Sequence, residues 1–174
     1  NLIPRFYDKN SGDISIDGQS IYDVSISSLR NNISLVNQDT TLFDDTIKNN
    51  IAYAKLDATE EEILEAAKLS HCNEFIDKLP NKLDTIIGEK GTRMSAGQLQ
   101  RLAISRALYE DFDLIILDES LNALDNENEK KILKVVKSLQ NQGKTIILIS
   151  HHNSNLENCD KIYKIQDKKF LLDI

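Results

Sequence analysis

The chain has 174 residues, a net charge of −7, and two cysteines, Cys72 and Cys159, that form no C-x-x-C pair. This length suffices for one domain with a real core, and the isolated cysteines indicate ordinary thiols in a reducing compartment. The acidic charge argues against nucleic acid as a partner, and no apolar run approaches the ~20 residues that cross a bilayer.

Strands and helices are predicted to alternate along the first half of the chain. Residues 13–18 alternate polar and apolar side chains between glycines, which predicts a short strand, and residues 33–36 predict a second. From residue 45 to about residue 93 the pattern is helical. Within it, Thr59 and the glutamates that follow form an N-cap with an acidic first turn, ahead of an apolar stripe over residues 63–69. We expect this stretch to be a helical insertion.

The second half continues the alternation with stronger signals. The predicted elements are, in order, a helix over residues 95–109, a buried strand over 114–117, an amphipathic helix over 126–140, a buried strand over 145–149, and two short final strands over 160–165 and 169–172. Runs of consecutive aliphatic residues are typical of strands that are covered on both faces of a parallel sheet. The fold class is therefore α/β with a helical insertion in the middle.

A phosphate-binding loop of the type G-x-x-x-x-G-K-[ST] does not occur in the sequence. The nearest match, at Gly143, Lys144 and Thr145, has Ser138 where the first glycine belongs. A strand rather than a helix is also predicted to follow it. These three residues are therefore interpreted as a turn before a strand.

Asp118 and Glu119 close the strand predicted over residues 114–117. Ligands of open α/β sheets bind outside the carboxyl ends of the strands. An Asp there can hold Mg²⁺, since hard cations take oxygen ligands, and the following Glu can orient and polarise an attacking water. The alternative interpretation, an acidic loop after a core strand, stays open on these two residues alone.

Three further candidates lie at element ends. Ser95 and Gln98 have the spacing of a capping box, which by itself indicates a well-made helix start. The free N–H groups of that helix end could also face a phosphate, and Gly97 would let the backbone approach closely. Gln38 follows an earlier strand and could reach a metal or a water. His151 follows the strand over 145–149 and could bond a phosphate oxygen or a water, whereas His71 and His152 are interpreted as structural.

In order and spacing, these residues resemble the nucleotide-binding domain of ABC transporters. Gln38 is similar to the Q-loop, residues 94–98 to the LSGGQ signature, residues 114–119 to Walker B and its catalytic glutamate, residues 121–125 to the D-loop, and His151 to the switch histidine. The resemblance covers nearly the whole chain. Residues 85–91 are similar to the x-loop of the exporter branch of the family. Within that branch, the sequence is most similar to exporters of the lipid A or multidrug type.

The resemblance implies a P-loop NTPase-like ATPase domain with a helical subdomain. The implied parts are residues 1–44 as a partial ATPase core, 45–93 as the helical subdomain, and 94–174 as the remainder of the core. ATP and Mg²⁺ are the implied ligands, and the implied site residues are Glu119 and His151 for catalysis, Asp118 and Gln38 for the metal, and Gln38, Ser95, Ala96, Gly97, Gln98 and Asp125 for the nucleotide. The implied partners are a second such domain, which sandwiches two ATPs with the first, and a transmembrane domain; the implied location is the cytoplasmic face of the membrane.

The sequence departs from the family pattern in two ways that bear on function. Walker A is missing, so the chain is expected to begin just after the Walker A helix. The elements that would pack against the Walker A strand and helix are then expected to have exposed apolar faces. Ala96 replaces a signature glycine, a mild change unless its φ is positive. Two alternatives to an exporter ATPase follow: a truncated remnant or interaction module that cannot bind ATP by itself, and, less favoured, an ATPase of chromosome maintenance or DNA repair.

Overall fold

The structure is a computed structural model, in which residues 1–39, 41–53, 55, 57–156, 159–167 and 169–173 are described, Lys90 and Asp173 by their backbone alone. The elements of the first half are β1 (Ser15–Ile16), β2 (Gln19–Ser20), α1 (Ile26–Asn31), β3 (Ile33–Val36), α2 (Ile47–Ala52), α3 (Glu60–Leu69) and α4 (Asn73–Ile76). Those of the second half are α5 (Ala96–Tyr109), β4 (Leu114–Asp118), α6 (Asn126–Asn141), β5 (Thr145–Ile149), β6 (Ile162–Gln166) and β7 (Lys169–Asp173).

A three-stranded parallel sheet in the order β3-β4-β5 forms the centre of the described structure. The central strand β4 pairs with both neighbours, with Leu117 opposite Val36 on one side and Asp118 opposite Ile149 on the other. The four aliphatic residues of β4 are buried, as expected of a parallel strand covered on both faces. The predicted α/β class and the buried strand at 114–117 are confirmed. The strand at 145–149, predicted to be buried, is only partly covered, because β5 lies at the edge of the sheet among the described residues.

The helical insertion has a core of its own. Ile47 and Ile51 of α2 are 0% exposed, and Ile63 of α3 is 1% exposed. Thr59 is the N-cap of α3, as predicted. It also forms a capping box, because its hydroxyl accepts from the N–H of Glu62 while the Glu62 carboxylate accepts from the N–H of Thr59. Ala54 and Leu56, which fall in this predicted helical stretch, lie outside the described residues.

Helix α5 connects this core to the sheet. Leu102 belongs to the helical core, whereas Ile104 and Ala107 pack with β4 in a second core. A long helix that contributes to two cores fixes their relative position, because protein interiors pack densely and slide little. Ser95 is the N-cap of α5, in agreement with the predicted helix start.

The side of the sheet beyond β5 is open among the described residues. Ile149 at the end of β5 is 43% exposed, and the β6–β7 hairpin exposes Ile165 at 71% and Phe170 at 75%. These exposed apolar side chains agree with the expectation that some elements of the sheet lack cover. In the part of the chain that the structure describes, no helix combines the length and the apolar character needed to span a bilayer.

Three features differ from the predictions or add to them. The strand predicted over residues 13–18 contains only Ser15–Ile16, because Asp17 and Gly18 adopt positive φ and turn the chain into β2. Helix α1 was not predicted. Cys72 is a free, buried thiol, and burial raises its pKa to about 12, so it stays protonated and inert, as expected of an ordinary thiol.

Candidate active site

The carboxyl ends of β3, β4 and β5 lie side by side, since the three strands are parallel and in register. Each end leads to a candidate residue: Gln38 two residues after β3, Asp118 and Glu119 at the end of β4, and His151 two residues after β5. The sheet therefore places at one edge four residues from three segments that are far apart in sequence. We call this the hydrolytic edge.

The backbone of Glu119 has a φ of 49°, in the left-handed region that side chains other than glycine rarely occupy. Its N–H donates to the carbonyl oxygen of Ile149 at 3.0 Å, which holds the turn against β5. On the other side, the Asn122 Nδ2 donates to the Glu119 Oε2 at 3.2 Å. A residue held in a costly conformation by its surroundings is a candidate for function, because such strain persists where the site needs the geometry.

The Glu119 carboxylate also contacts His151. The Oε1 of Glu119 lies 2.6 Å from the Nε2 of His151, so a hydrogen bond from the imidazole can orient the carboxylate. The Glu119 side chain is 20% exposed and that of His151 is 80% exposed, which leaves the pair open to solvent on the histidine side. Contact of His151 with a phosphate stays a prediction, and the pairing with Glu119 was not foreseen from the sequence.

Asp118 offers a half-buried carboxylate at the end of β4, next to Glu119. Across the described residues, no group of three or more His, Cys, Asp or Glu side chains could hold a metal ion. Mg²⁺ commonly binds through one or two carboxylates plus substrate phosphates and waters. Asp118 and the amide of Gln38 supply oxygen donors of the kind Mg²⁺ prefers.

The second group of candidates lies at the start of α5, in residues 95–98, which we call the signature turn. Ser95 accepts from the Gln98 N–H at 3.3 Å, and the Gln98 Oε1 accepts from the Ser95 N–H at 2.9 Å, so the predicted capping box is present. Ala96 is the first helical residue and has no positive φ, so the missing glycine introduces no backbone strain. By helix geometry, the N–H groups of Ala96 and Gly97 lack acceptors inside the helix and can face an anion.

Gly97 is needed for a close approach within the chain itself. A Cβ at this position would lie 3.1 Å from the carbonyl oxygen of Ala123. Ala123 belongs to residues 121–125, the D-loop of the resemblance. The close approach expected at Gly97 is therefore seen toward the D-loop backbone, and an approach to a phosphate stays a prediction.

Asp125 ends the D-loop and caps α6. Its Oδ1 accepts from the N–H groups of Glu127 at 3.1 Å and Asn128 at 2.9 Å, and its Oδ2 accepts from the Asn128 side chain at 2.7 Å. These bonds, above all the one from the Asn128 backbone, lower the pKa of the Asp125 carboxyl. Asp125 thus stays charged at neutral pH and is fixed in direction.

Sequence reasoning missed three side chains that support the site: Asn122, Arg101 and Asn128. Asn122 and Asn128 follow Glu119 and Asp125 by three positions, a spacing at which a side chain can bond back along a turn. Arg101 left a signal, because a charged residue within the buried face of a helix requires partners.

Comparison with known proteins shows the protein family of this chain. The family model of the ABC transporters matches residues 1–122, more than half of the chain. The chain therefore belongs to the ABC transporter family, and its fold is that of the nucleotide-binding domain. The motif resemblance noted in the sequence is confirmed.

The relatives place the chain in the exporter branch. It is 48% identical over 171 residues to an ATP-dependent lipid A-core flippase of Desulfotalea psychrophila, which covers 98% of this chain and 30% of the relative. A flippase of the same name from Pasteurella multocida is 49% identical over 167 residues, covering 95% of this chain and 28% of the relative. The chain thus spans less than a third of the length of these curated relatives.

A solved structure gives the same assignment from the fold. A bacterial Atm1-family ABC exporter with ATP bound superimposes with a TM-score of 0.94 at 38% identity, covering 98% of this chain and 30% of that one. The chain is therefore an exporter-type nucleotide-binding domain sequence with the corresponding ABC ATPase fold.

Proposed function

We propose that this chain hydrolyses ATP as part of an ABC exporter and couples hydrolysis to transport across a membrane. The observation that carries the proposal is the Glu119 carboxylate, strained in backbone, oriented by His151 and adjacent to Asp118 at the carboxyl edge of a parallel sheet. This arrangement supplies a positioned proton acceptor next to a metal-binding carboxylate, which phosphoryl transfer to water requires.

Each residue of the hydrolytic edge has a distinct role in the proposal. Glu119 orients the attacking water and accepts its proton, and His151 holds the Glu119 carboxylate in place. Asp118 and Gln38 are the groups that would hold Mg²⁺. The bound metal would supply charge neutralisation on the phosphate oxygens.

The signature turn and Asp125 act from the opposite side in this proposal. The family resemblance supports a sandwich in which a second copy, or a related domain, presents its signature turn to the ATP held by the first. The N–H groups at the start of α5 then stabilise charge on the transferred phosphate. ATP, Mg²⁺, a second nucleotide-binding domain and a transmembrane domain are the ligands and partners that the proposal requires, and its working location is the cytoplasmic face of the membrane.

The relatives' names suggest a lipid as the cargo to test first. The curated relatives are named for lipid A-core. We infer that a lipid of this class is moved by the exporter that contains this chain, and that the helical region of residues 45–93 passes the state of the nucleotide site to the membrane-spanning part.

The test is ATP turnover by the purified exporter with Glu119→Gln. Loss of the proton acceptor is expected to lower kcat about 100-fold or more, since general-base catalysis contributes roughly 10²–10⁴-fold. Glu61→Gln is the matched control, because Glu61 is an exposed residue of α3 outside the hydrolytic edge. Unchanged turnover in Glu119→Gln would show that the role assigned to Glu119 is wrong.

The alternative is a non-catalytic interaction module. It is favoured by the absence of a G-x-x-x-x-G-K-[ST] loop from the 174 residues, since that loop's backbone N–H groups and Lys hold the β- and γ-phosphates. Titration of the 174-residue chain with ATP is expected to show weak or no binding. Micromolar affinity would contradict that expectation.

A further inference from the structure

Arg101 is a buried charge that joins three parts of the molecule. It lies on α5 one turn after the signature turn and is 9% exposed. Its Nη1 donates to the His71 carbonyl oxygen at 3.1 Å, to the Glu74 Oε2 at 3.3 Å and to the Asn128 Oδ1 at 3.2 Å. Burying a guanidinium is costly unless it is paired, so these contacts fix its position.

Asn128 carries the connection onward to the D-loop. Its side-chain oxygen accepts from Arg101, and its side-chain nitrogen donates to the Asp125 Oδ2 at 2.7 Å. A primary amide can do both at once, whereas Ala can do neither and Asp cannot donate. The direction of the Asp125 carboxylate is therefore linked through one side chain to the helix that carries the signature turn.

A second contact joins the same two segments at their other end. The backbone at Gly97 approaches the Ala123 carbonyl so closely that a Cβ would sit 3.1 Å from its oxygen. The residues of both contacts line one groove of about 360 Å³, together with the rest of the signature turn and residues 123–125. The signature turn and the D-loop are thus connected at two points along this groove.

We propose that Arg101 and Asn128 are positioning residues that hold the signature turn and the D-loop at a fixed separation, so that both meet the other domain's nucleotide as one unit. The proposal rests on the proposed function, in which the two segments act across a domain sandwich. Neither side chain needs to touch the nucleotide. They act through residues 95–98 and Asp125.

The relevant kinetic signature is a fall in kcat with little change in KM. Each nucleotide is held mainly by its own domain, while the signature turn and the D-loop act on the reacting phosphate of the other. Loosening their separation removes interactions that matter most in the transition state. A side chain that merely kept the domain folded would instead lower the amount of active protein and leave the kcat of the folded fraction unchanged.

The test is steady-state ATP turnover by the whole exporter, with active-site titration of the folded fraction. Asn128→Ala is the main variant, because it removes the connection from Arg101 to Asp125 while the Arg101 charge stays paired with Glu74. We expect kcat to fall at least tenfold with KM within threefold. Arg101→Lys is the second variant and is expected to fall in the same way, since an ammonium cannot reproduce the three-way geometry of the guanidinium.

Lys131→Gln is the matched control. The Lys131 Nζ pairs with the Glu74 Oε1 at 2.7 Å and with the Glu127 Oε1 at 2.9 Å, one turn from Asn128 on the same helix. It thus shares Glu74 with Arg101, but its own ion pairs are with glutamates rather than with Asn128 or Asp125. Its kcat is expected to stay within twofold of the unmodified exporter.

Two results would overturn the inference: an Asn128→Ala kcat within twofold of the unmodified exporter, or an equal loss in Lys131→Gln. If Glu119→Gln abolishes turnover while Asn128→Ala does not alter it, the proposed function stands and this inference fails. If Glu119→Gln leaves turnover intact, the proposed function itself fails.

Discussion

The helical region of residues 45–93 and the β5 side of the sheet differ in how completely the described residues cover them. Ile47 and Ile51 of the helical region are fully buried, whereas Ile149 of β5 is 43% exposed and Phe170 of the β6–β7 hairpin is 75% exposed. Burial of apolar surface is the main favourable term in folding. The core of the helical region, which includes Leu102 of α5, is therefore well covered by described residues, whereas the β5 side of the sheet leaves apolar area exposed.

The largest effect on the free energy of unfolding is expected from truncating one apolar side chain in each of the two regions. Ile51→Ala is expected to destabilise by about 2–5 kcal/mol, since it leaves a cavity in a fully buried site. Ile147→Ala in β5 is expected to cost roughly half as much or less, because Ile147 is already partly exposed. Urea unfolding of the 174-residue chain measures both, with Ile51→Val and Ile147→Val as milder versions.

Equal losses at the two positions would mean that β5 is as well covered as the helical core. The unmodified chain is itself expected to be marginally stable or to associate, because its open sheet side leaves apolar area in water. A monomeric chain with a cooperative transition at a high midpoint would contradict that expectation.

A smaller effect is expected at the cap of α3, within the well-covered region. Thr59→Ala removes the hydroxyl that accepts from the Glu62 N–H and is expected to cost about 1 kcal/mol at neutral pH. The check is the shift in the urea midpoint at constant slope. A loss of slope would instead indicate a change in the unfolded or native ensemble.

The same cap gives the helical region an acid dependence. Hydrogen bonds from Thr59, the backbone one first, lower the pKa of Glu62 to about 2. Its contribution to stability is therefore present above the unfolded pKa of about 4.3, and it is lost as the pH falls from there toward 2. Glu62→Gln is expected to flatten this part of the pH–stability curve, while Glu61→Gln leaves it unchanged; identical curves for the two variants would contradict the assignment.

The smallest effect on stability is expected on the open side. Phe170→Ser alters a side chain that is already 75% exposed, so the free energy of unfolding should change by less than about 0.5 kcal/mol. Association between copies of the chain should weaken, because an exposed aromatic side chain is removed. Sedimentation of the chain at several concentrations measures this, and unchanged association would show that the hairpin is not the contact surface.

The sequence predicted most of the fold because local signals and burial agree. Aliphatic runs placed β4 and β5, the N-cap at Thr59 placed the start of α3, and the capping box at Ser95 placed the start of α5. Helix α1 was not predicted because it has only six residues. One of them, Leu29, is buried, and a single buried side chain gives no helical period in the sequence.

The residues proposed for the site could be named from the sequence, but the contacts between their side chains could not. Spacing and order identified Asp118, Glu119 and His151, and the parallel sheet explains why they share an edge. The contact between Glu119 and His151, and the connection through Arg101 and Asn128, depend on turns and rotamers that bring distant segments together. Neither leaves a periodic signal in the sequence.

In the proposed function, Glu119 of one domain works with the signature turn of the other. The most direct measurement is ATP turnover by an exporter dimer that carries Glu119→Gln and Ser95→Arg, arranged on the same copy or on opposite copies. Opposite copies leave one site with an intact Glu119 and an intact signature turn, whereas the same copy damages both sites. We expect turnover only when the changes are on opposite copies. Turnover that is equal or higher with both changes on one copy would contradict the shared site.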